Sequence, residues 1–382
     1  MKILLLKENK QELRVSLVPT DVAKLVTARH LVFVEAGAGS LAGFKDVAYA
    51  EAGAKVIKNV KSVLNQGVDF IFKISNPTTK ILKATKPETT IVGLFNAVNN
   101  PKPLYQMLKL KNTSVALEAI EQNGYYPLIV PNEQVKGRLG ALIGAYNLTK
   151  LNKHALGKTI AELVHNEEKA HFVILHLSYA CIEAAKAILA LGSDLTILAS
   201  DYDMAAAVKD RHDLKTLASI NHCKFEIVKA DFTNLNKHIS TADVLINTNP
   251  TPGSLTPKRI TTTMINAMPK GSVFVDLAID QGFSSDTEKK PTTIKKPTEF
   301  INGVTHFYLE NTASLFPHSL SKSISSLIMD IFFKKPSTSG IETIKNNEVL
   351  YNAILTYDGK LTNKLVSETL HIEGVTIKSL LK

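Results

Sequence analysis

Residues 172–203 read FVILHLSYACIEAAKAILALGSDLTILASDYD. The apolar run Phe172–Leu175 predicts a buried strand. Residues 181–191 predict a helix with Ile182, Ala185 and Leu189 on one stripe, and Gly192 ends it. Leu195–Leu198 predict the next strand. This is the outline of a β-α-β unit whose first turn reads G-x-G-x-x-G where it cradles a pyrophosphate. Here the three glycine positions are His176, Ser178 and Cys181. The first glycine permits a tight turn, the second lets backbone approach the phosphates, and the third packs helix on strand. His176 and Ser178 put side chains into that space, and Cys181 pushes the helix from the strand. The scaffold therefore points to a dinucleotide fold, and its turn argues against ordinary dinucleotide binding.

Working outward, strands and helices alternate over the first 130 residues. Strands are predicted at Lys2–Leu6, Leu31–Glu35, Asp69–Ile74, Thr90–Phe95 and Thr113–Glu118, with helices at Asp21–Ala28 and Pro103–Leu110. That pattern specifies an open α/β sheet domain. Pro131 opens a long helical segment, 131–152, carrying Gly137, Gly140, Ala141, Gly144 and Ala145 at helical spacing. Each glycine costs helix stability, which a helix packed tightly between domains or subunits would explain. Strands at Val244–Asn247 and Ser272–Leu277 continue the second domain. Residues 284–300 are polar and lysine-rich and predict an exposed loop. From about 305 the pattern becomes helical and returns to the first domain. The expected division is 1–130 with 318–382, and 131–317.

The chain has 382 residues, net charge +10 and 45% hydrophobic residues, which suits two globular domains with sizeable cores. Its arginines are few (14, 29, 138, 211 and 259) and its lysines are scattered, so no nucleic-acid footprint forms. Two cysteines, Cys181 and Cys223, exclude a disulfide framework and fit a reducing compartment. No Cys/His spacing suggests a metal. MKILLLKENK is too short in its apolar run for a signal peptide, and no stretch predicts a membrane helix. The cytoplasm is the expected location.

Several segments, in order, resemble alanine dehydrogenase and the related nicotinamide nucleotide transhydrogenase α subunit. They are KENKQELRVSLVP (7–19), VEAGAGSLAGF (34–44), FKISNP (72–77), GRLGALIGAYNL (137–148), TPGSLTPKRIT (251–261), KGSVFVDLAIDQG (270–282) and KPTT (290–293). The C-terminal LTYDGKLTNKLVSETLHIEG matches too, so the resemblance covers nearly the whole chain. The short connection Gly124–Val130 is similar to the dehydrogenase branch. The resemblance implies a substrate domain built from both chain ends, with a Rossmann-like, doubly wound parallel-sheet domain inserted into it. It also implies NAD, interconversion of L-alanine and pyruvate, and a homo-oligomer, commonly a hexamer.

The resemblance assigns roles to single residues. Arg14 matches the arginine that holds the substrate carboxylate, and a guanidinium suits that bidentate task. Asp280 matches the aspartate near the nicotinamide and the reacting carbon. Ser75 stands where the dehydrogenases carry a carbonyl-polarising lysine; Lys73, two residues away on the same strand face, is the candidate to compensate. Asn96 stands where they carry the catalytic histidine, and an amide does not exchange protons near neutral pH. The ribose-binding acid aligns with Ala199, leaving Asp201 as the substitute candidate. Glu118, Asn247 and Asn311 occupy further site positions. Three readings stay open. One is a silent homologue keeping the fold and a small amino- or keto-acid pocket, with a role beside an active paralogue among its options. The others are an active NAD-dependent alanine dehydrogenase and an oxidoreductase with an altered substrate.

Overall fold

Ile3 and Leu5 pack into one core cluster while Leu4 and Leu6 pack into another, so the first strand is buried on both faces. Phe70 and Phe72 repeat this alternation against Ile71. Near-continuous apolar strands of this kind belong to parallel sheets covered on both sides. The computed structural model describes residues 1–165, 168–200, 208–248 and 259–380. Its strands are β1 (Lys2–Leu5), β2 (Leu31–Glu35), β3 (Lys55–Ile57), β4 (Phe70–Phe72), β5 (Thr90–Gly93), β6 (Thr113–Ala116), β7 (His171–Leu175), β8 (Asp194–Ala199), β9 (Phe225–Lys229), β10 (Val244–Asn247), β11 (Val273–Asp276), β12 (Thr298–Ile301), β13 (Val304–Phe307), β14 (Ile354–Tyr357) and β15 (Lys360–Leu361).

The chain divides into two units, one of residues 1–131 with 313–382 and one of residues 132–312. The first holds an eight-stranded sheet in the order β15-β14-β6-β5-β4-β1-β2-β3. Its strands β1 to β6 are parallel, and β14 adds antiparallel to β6. The second unit holds a seven-stranded sheet in the order β12-β13-β11-β10-β7-β8-β9. It is parallel apart from β12. Each run of six parallel strands turns back on itself at a switch point, between β1 and β4 in one unit and between β7 and β10 in the other. Sheets of this order bind ligands in the crevice at that point, beyond the carboxyl ends of the strands.

The glycine-rich helix spans Val130–Asn147. A Cβ at Gly137 would lie 2.0 Å from the carbonyl oxygen of Ala180, one at Gly140 2.7 Å from Leu277 Cδ1, and one at Gly144 2.6 Å from Val244 Cγ1. All three partners belong to the second unit itself. The expectation that this stripe packs between domains or subunits is thus corrected: the glycines let the helix press on its own unit's sheet and on the helix Tyr179–Ala190. It stops short of 152 because the Asn152 side-chain amide donates to the terminal carbonyl of Asn147 at 3.2 Å.

Two further expectations change. Residues 284–300 are an exposed loop only in part: Lys289, Lys290 and residues 293–297 are exposed, whereas Ser284, Ser285, Thr287 and Glu288 are buried and β12 pairs antiparallel with β13. The reason is long-range: Ser284 Oγ donates to Asp276 Oδ2 at 2.6 Å. The segment from 305 does not open as a helix either. Val304–Phe307 is a fully buried strand beside β11, and the helix begins at Pro317. No helix among the described residues is long and apolar enough to cross a membrane.

Candidate functional site

In the first unit Lys73, Ser75, Asn96 and Glu118 fall at the carboxyl ends of three adjacent parallel strands, β4, β5 and β6, and Glu8 follows the neighbouring β1. Neighbouring strands are about 4.8 Å apart, so these ends form one short row. Glu8, beyond β1, reaches across the switch point to the exit of β4. Its carboxylate accepts from Lys73 Nζ at 2.9 Å, Ile74 N–H at 2.6 Å, Ser75 N–H at 3.0 Å and Ser75 Oγ at 2.6 Å. Lys73 also donates to the carbonyl of Lys7 at 2.9 Å. Burial pushes the Glu8 carboxyl up, and the Lys73 charge and Ser75 hydroxyl oppose that without reversing it. Lys73 and Ser75 are therefore bound into a buried network that fixes the β4 exit. Breaking such a pair from one side leaves an uncompensated charge.

Arg14 is buried too. Its Nε and Nη2 donate to the two carboxylate oxygens of Glu12, each at 2.7 Å, and its N–H donates to Glu12 Oε1 at 3.0 Å. This bidentate fork fixes the guanidinium plane and offsets its charge. Further along the row, Asn96 adopts the left-handed region at φ 45°. Glu118, just past β6, holds that turn: it accepts the N–H of Phe95 at 3.0 Å and of Asn96 at 2.9 Å. Burial pushes the Glu118 carboxyl up to about 7 against the pull of these N–H groups.

The second unit's edge begins with the turn after β7. His176 takes the first glycine's place in the left-handed region, at φ 67°. A non-glycine residue there carries a cost of about 1–2 kcal/mol. Ser178 is the N-cap of the helix Tyr179–Ala190, its Oγ accepting the Cys181 N–H at 3.2 Å. The same hydroxyl donates to Thr248 Oγ1 at 3.0 Å, and Thr248 in turn donates to the carbonyls of Leu175 and His176 at 2.9 Å. Ser178 follows β7 and Thr248 follows β10, so this chain of hydroxyls spans the switch point. Cys181 is fully buried with Ala180 pressed on Gly137. At the end of β8, Ala199 is buried and offers no side-chain acceptor. Asp201 lies outside the described residues, as do residues 251–258 of the TPGSLTPKRIT segment.

Asn247, ending β10, donates to Asp276 Oδ1 at 3.0 Å. Asp276 and Glu288 form a buried acidic pair: burial and the Asp276 charge push Glu288 up to about 10, and burial raises Asp276. Asp280 sits in the short 3-10 turn Ile279–Gln281. Its Oδ1 accepts the Asn311 N–H at 2.6 Å, and its Oδ2 lies 3.2 Å from Lys136 Nζ, which Glu133 shares at 3.2 Å. Burial alone would lower the Lys136 ammonium, but the Glu133 and Asp280 carboxylates outweigh it and hold it well above its ordinary value. Glu310 is raised by burial and by Asp280. No group of three or more His, Cys, Asp or Glu among the described residues is placed to hold a metal ion.

Sequence reasoning missed Glu8, Glu12, Lys136 and Thr248. Glu12 carried a readable signal, since an acid two residues before a buried arginine can fold back on it. The others depend on contacts remote in sequence.

Two open α/β sheets with switch-point crevices, one entered by a β-α-β turn of nucleotide-binding shape, define a two-unit Rossmann-type protein. Residues 4–135 match the family model "Alanine dehydrogenase/PNT, N-terminal domain" and residues 140–364 match the C-terminal domain model. The chain is 30% identical over 384 residues to alanine dehydrogenase 2 of Staphylococcus aureus, covering 100% of both. An L-alanine dehydrogenase structure superposes with a TM-score of 0.82 at 25% identity, over 97% of this chain and 99% of that one. A transhydrogenase from Sinorhizobium meliloti shares the fold, with a TM-score of 0.71 at 21% identity, covering 95% of this chain and 99% of that one. The chain belongs to the alanine dehydrogenase/PNT family.

Proposed function

We propose that this chain is a catalytically silent or strongly impaired alanine dehydrogenase homologue that keeps the fold and a small-carboxylate pocket. In this reading residues 132–312 are the former nucleotide-binding domain, and residues 1–131 with 313–382 form the substrate domain. Family members use NAD, and the residues at the turn do not fit it. The observation that carries the reading is Ser178. Its Oγ already takes the Cys181 N–H and ties the helix start to Thr248, where a diphosphate needs bare N–H groups and open space. His176, Ala199 and Asn247 support the same conclusion, since Asn247 is spent on Asp276.

The chemical groups agree. Ser75 has no permanent charge, and Lys73 is neutralised by Glu8. Losing one preorganised charged donor typically costs about 10²–10³ in rate. Asn96 exchanges no protons near neutral pH, and losing a general acid-base group typically costs about 10²–10⁴. Asp280 keeps its place, with Asn311 and Lys136 on its two oxygens.

Arg14 is the group that would hold a small amino or keto acid. Its pairing with Glu12 weakens its pull on an anion, so millimolar affinity is expected. Resemblance to the family supports a homo-oligomer, and the two free cysteines fit a reducing, cytoplasmic setting. The test is titration of the purified protein with NADH, followed by fluorescence, beside an alanine-to-pyruvate assay. No saturation at millimolar NADH and no turnover are expected. Micromolar binding with turnover would restore the active enzyme.

A further inference from the structure

One face of the second unit's sheet carries a chain of polar groups toward the amino ends of its strands, away from the switch-point turn. Thr196 on β8 stands in register with Val173 on β7 and with Glu226 on β9. His171 lies two residues before Val173, so His171, Thr196 and Glu226 share that face. The helix Phe232–Ile239 covers it, with Leu235 and Ile239 in one core cluster with Val173 and Leu198. His171 Nε2 lies 2.9 Å from Thr196 Oγ1, which lies 3.1 Å from Glu226 Oε1. His238 Nδ1, from the covering helix, lies 3.7 Å from the same Glu226 oxygen. Thr196 and His238 are buried, whereas the Glu226 side chain is 54% exposed. The chain of groups therefore runs from solvent at Glu226 to a partly buried imidazole at His171.

We propose that His171, Thr196 and Glu226 form a proton-sensing switch, in which protonation of His171 Nε2 turns the Thr196 hydroxyl onto the Glu226 carboxylate and ties the edge strand β9 to β8. The argument is one of donors. Thr196 has a single hydroxyl proton and two acceptors within reach of it. The backbone carbonyl of Thr241 also hydrogen-bonds the His171 ring; with Nε2 turned to Thr196, that bond falls to Nδ1 and keeps a proton there. A bare Nε2 accepts the Thr196 proton, and Glu226 then lacks it. A protonated Nε2 donates to Thr196, whose own proton swings to Glu226. The proton comes from solvent past the exposed Glu226 carboxylate and returns there, so no other reactant is needed. The charges facing His171 are Asp243, Asp194 and Glu226, and those facing His238 are Glu226, Lys237 and His171. Asp243 already holds Lys158 Nζ at 2.8 Å and the His171 N–H at 2.9 Å, and Asp194 lies 3.4 Å from Lys169 Nζ. Burial lowers both imidazoles below the ordinary histidine range against the pull of these carboxylates, so the switch answers to mild acid.

The experiment is nuclear magnetic resonance of the full-length protein with isotope-labelled histidine and glutamate, titrated from about pH 8 down to about pH 5. At the alkaline end His171 should be the tautomer with its proton on Nδ1 and a bare Nε2. As pH falls, Nε2 should gain a proton with a midpoint below the ordinary 6.5, and the Glu226 carboxyl resonance should move at that same midpoint. Thr196→Val should shrink the Glu226 movement at least ~3-fold, and Thr196→Ser, which keeps the hydroxyl, should preserve it. Glu226→Gln removes a facing negative charge and should lower the His171 midpoint by about 0.5 in pH, a roughly 3-fold weaker hold on the proton. A purely structural contact would leave that midpoint where it is. In the unaltered protein, a His171 with its proton on Nε2 at the alkaline end overturns the proposal, as does a Glu226 resonance that ignores the His171 midpoint. Both readings need no variant, so they hold even if a substituted chain fails to fold. Full Glu226 movement in Thr196→Val, or an unmoved His171 midpoint in Glu226→Gln, overturns it as well.

Discussion

Replacing Glu8 by alanine tests whether Lys73 and Ser75 are scaffold rather than catalytic apparatus. The Glu8 and Lys73 side chains are only 1% and 7% exposed, with 2.9 Å between carboxylate and ammonium. Removing one partner of a buried pair typically costs about 3–5 kcal/mol, because the remaining charge stays in a low dielectric. The N–H groups of Ile74 and Ser75 and the Ser75 hydroxyl lose their acceptor as well. Each buried group left unsatisfied costs about 1–3 kcal/mol, although local relaxation recovers part of it. A total loss of at least about 4 kcal/mol is expected for Glu8→Ala. Glu8→Gln/Lys73→Met, which removes both charges and keeps most of the volume, should lie within about 2 kcal/mol of the unaltered protein. The assay is urea unfolding followed by far-ultraviolet circular dichroism, with the double-mutant cycle giving the coupling. A Glu8→Ala loss below about 1 kcal/mol, or strictly additive single changes, would refute the reasoning.

Other outcomes follow from the same geometry. Gly137→Ala should destabilise by about 1–3 kcal/mol by overpacking, because its Cβ would meet the Ala180 carbonyl at 2.0 Å; thermal unfolding reads this. Ser178→Ala should cost about 1 kcal/mol through loss of the cap, and an unchanged melting temperature would count against the hydroxyl's structural role. Glu118 has a raised folded-state pKa, about 7 against an ordinary 4.5. Its stabilisation is therefore complete below the unfolded pKa and is lost as pH rises through about 7. Urea midpoints should fall from pH 5 to 8.5 in the unaltered protein, and the fall between pH 5 and about 7 should be shallower in Glu118→Gln, the remaining slope coming from the other raised carboxyls, Glu288 foremost.

Much of the fold is written in local pattern. Phe172–Leu175, the helix after it and Leu195–Leu198 form the predicted β-α-β unit, because apolar period and a terminating glycine act over a few residues. The N-terminal strands are recovered for the same reason. In the stretch 284–300 the lysines are exposed as their type suggests, while Ser284 and Glu288 are buried because they answer to Asp276, a contact that local composition does not announce. The glycines of 137–144 announced close packing without naming the partner, since composition carries no address. At the sites, residue types showed what had been lost at 75, 96, 176 and 178. They did not show that Glu8, Glu12, Lys136 and Thr248 supply internal partners to the residues singled out.

The most direct measurement titrates NADH into the unaltered protein and into His176→Gly/Ser178→Gly/Cys181→Gly under identical conditions, with fluorescence and calorimetric readouts. The account predicts no saturation of the unaltered protein at millimolar NADH. It predicts at least ~10-fold tighter binding once the helix start is bared, equivalent to about 1.4 kcal/mol. Micromolar binding by the unaltered protein, with its Ser178 hydroxyl in place, would contradict it.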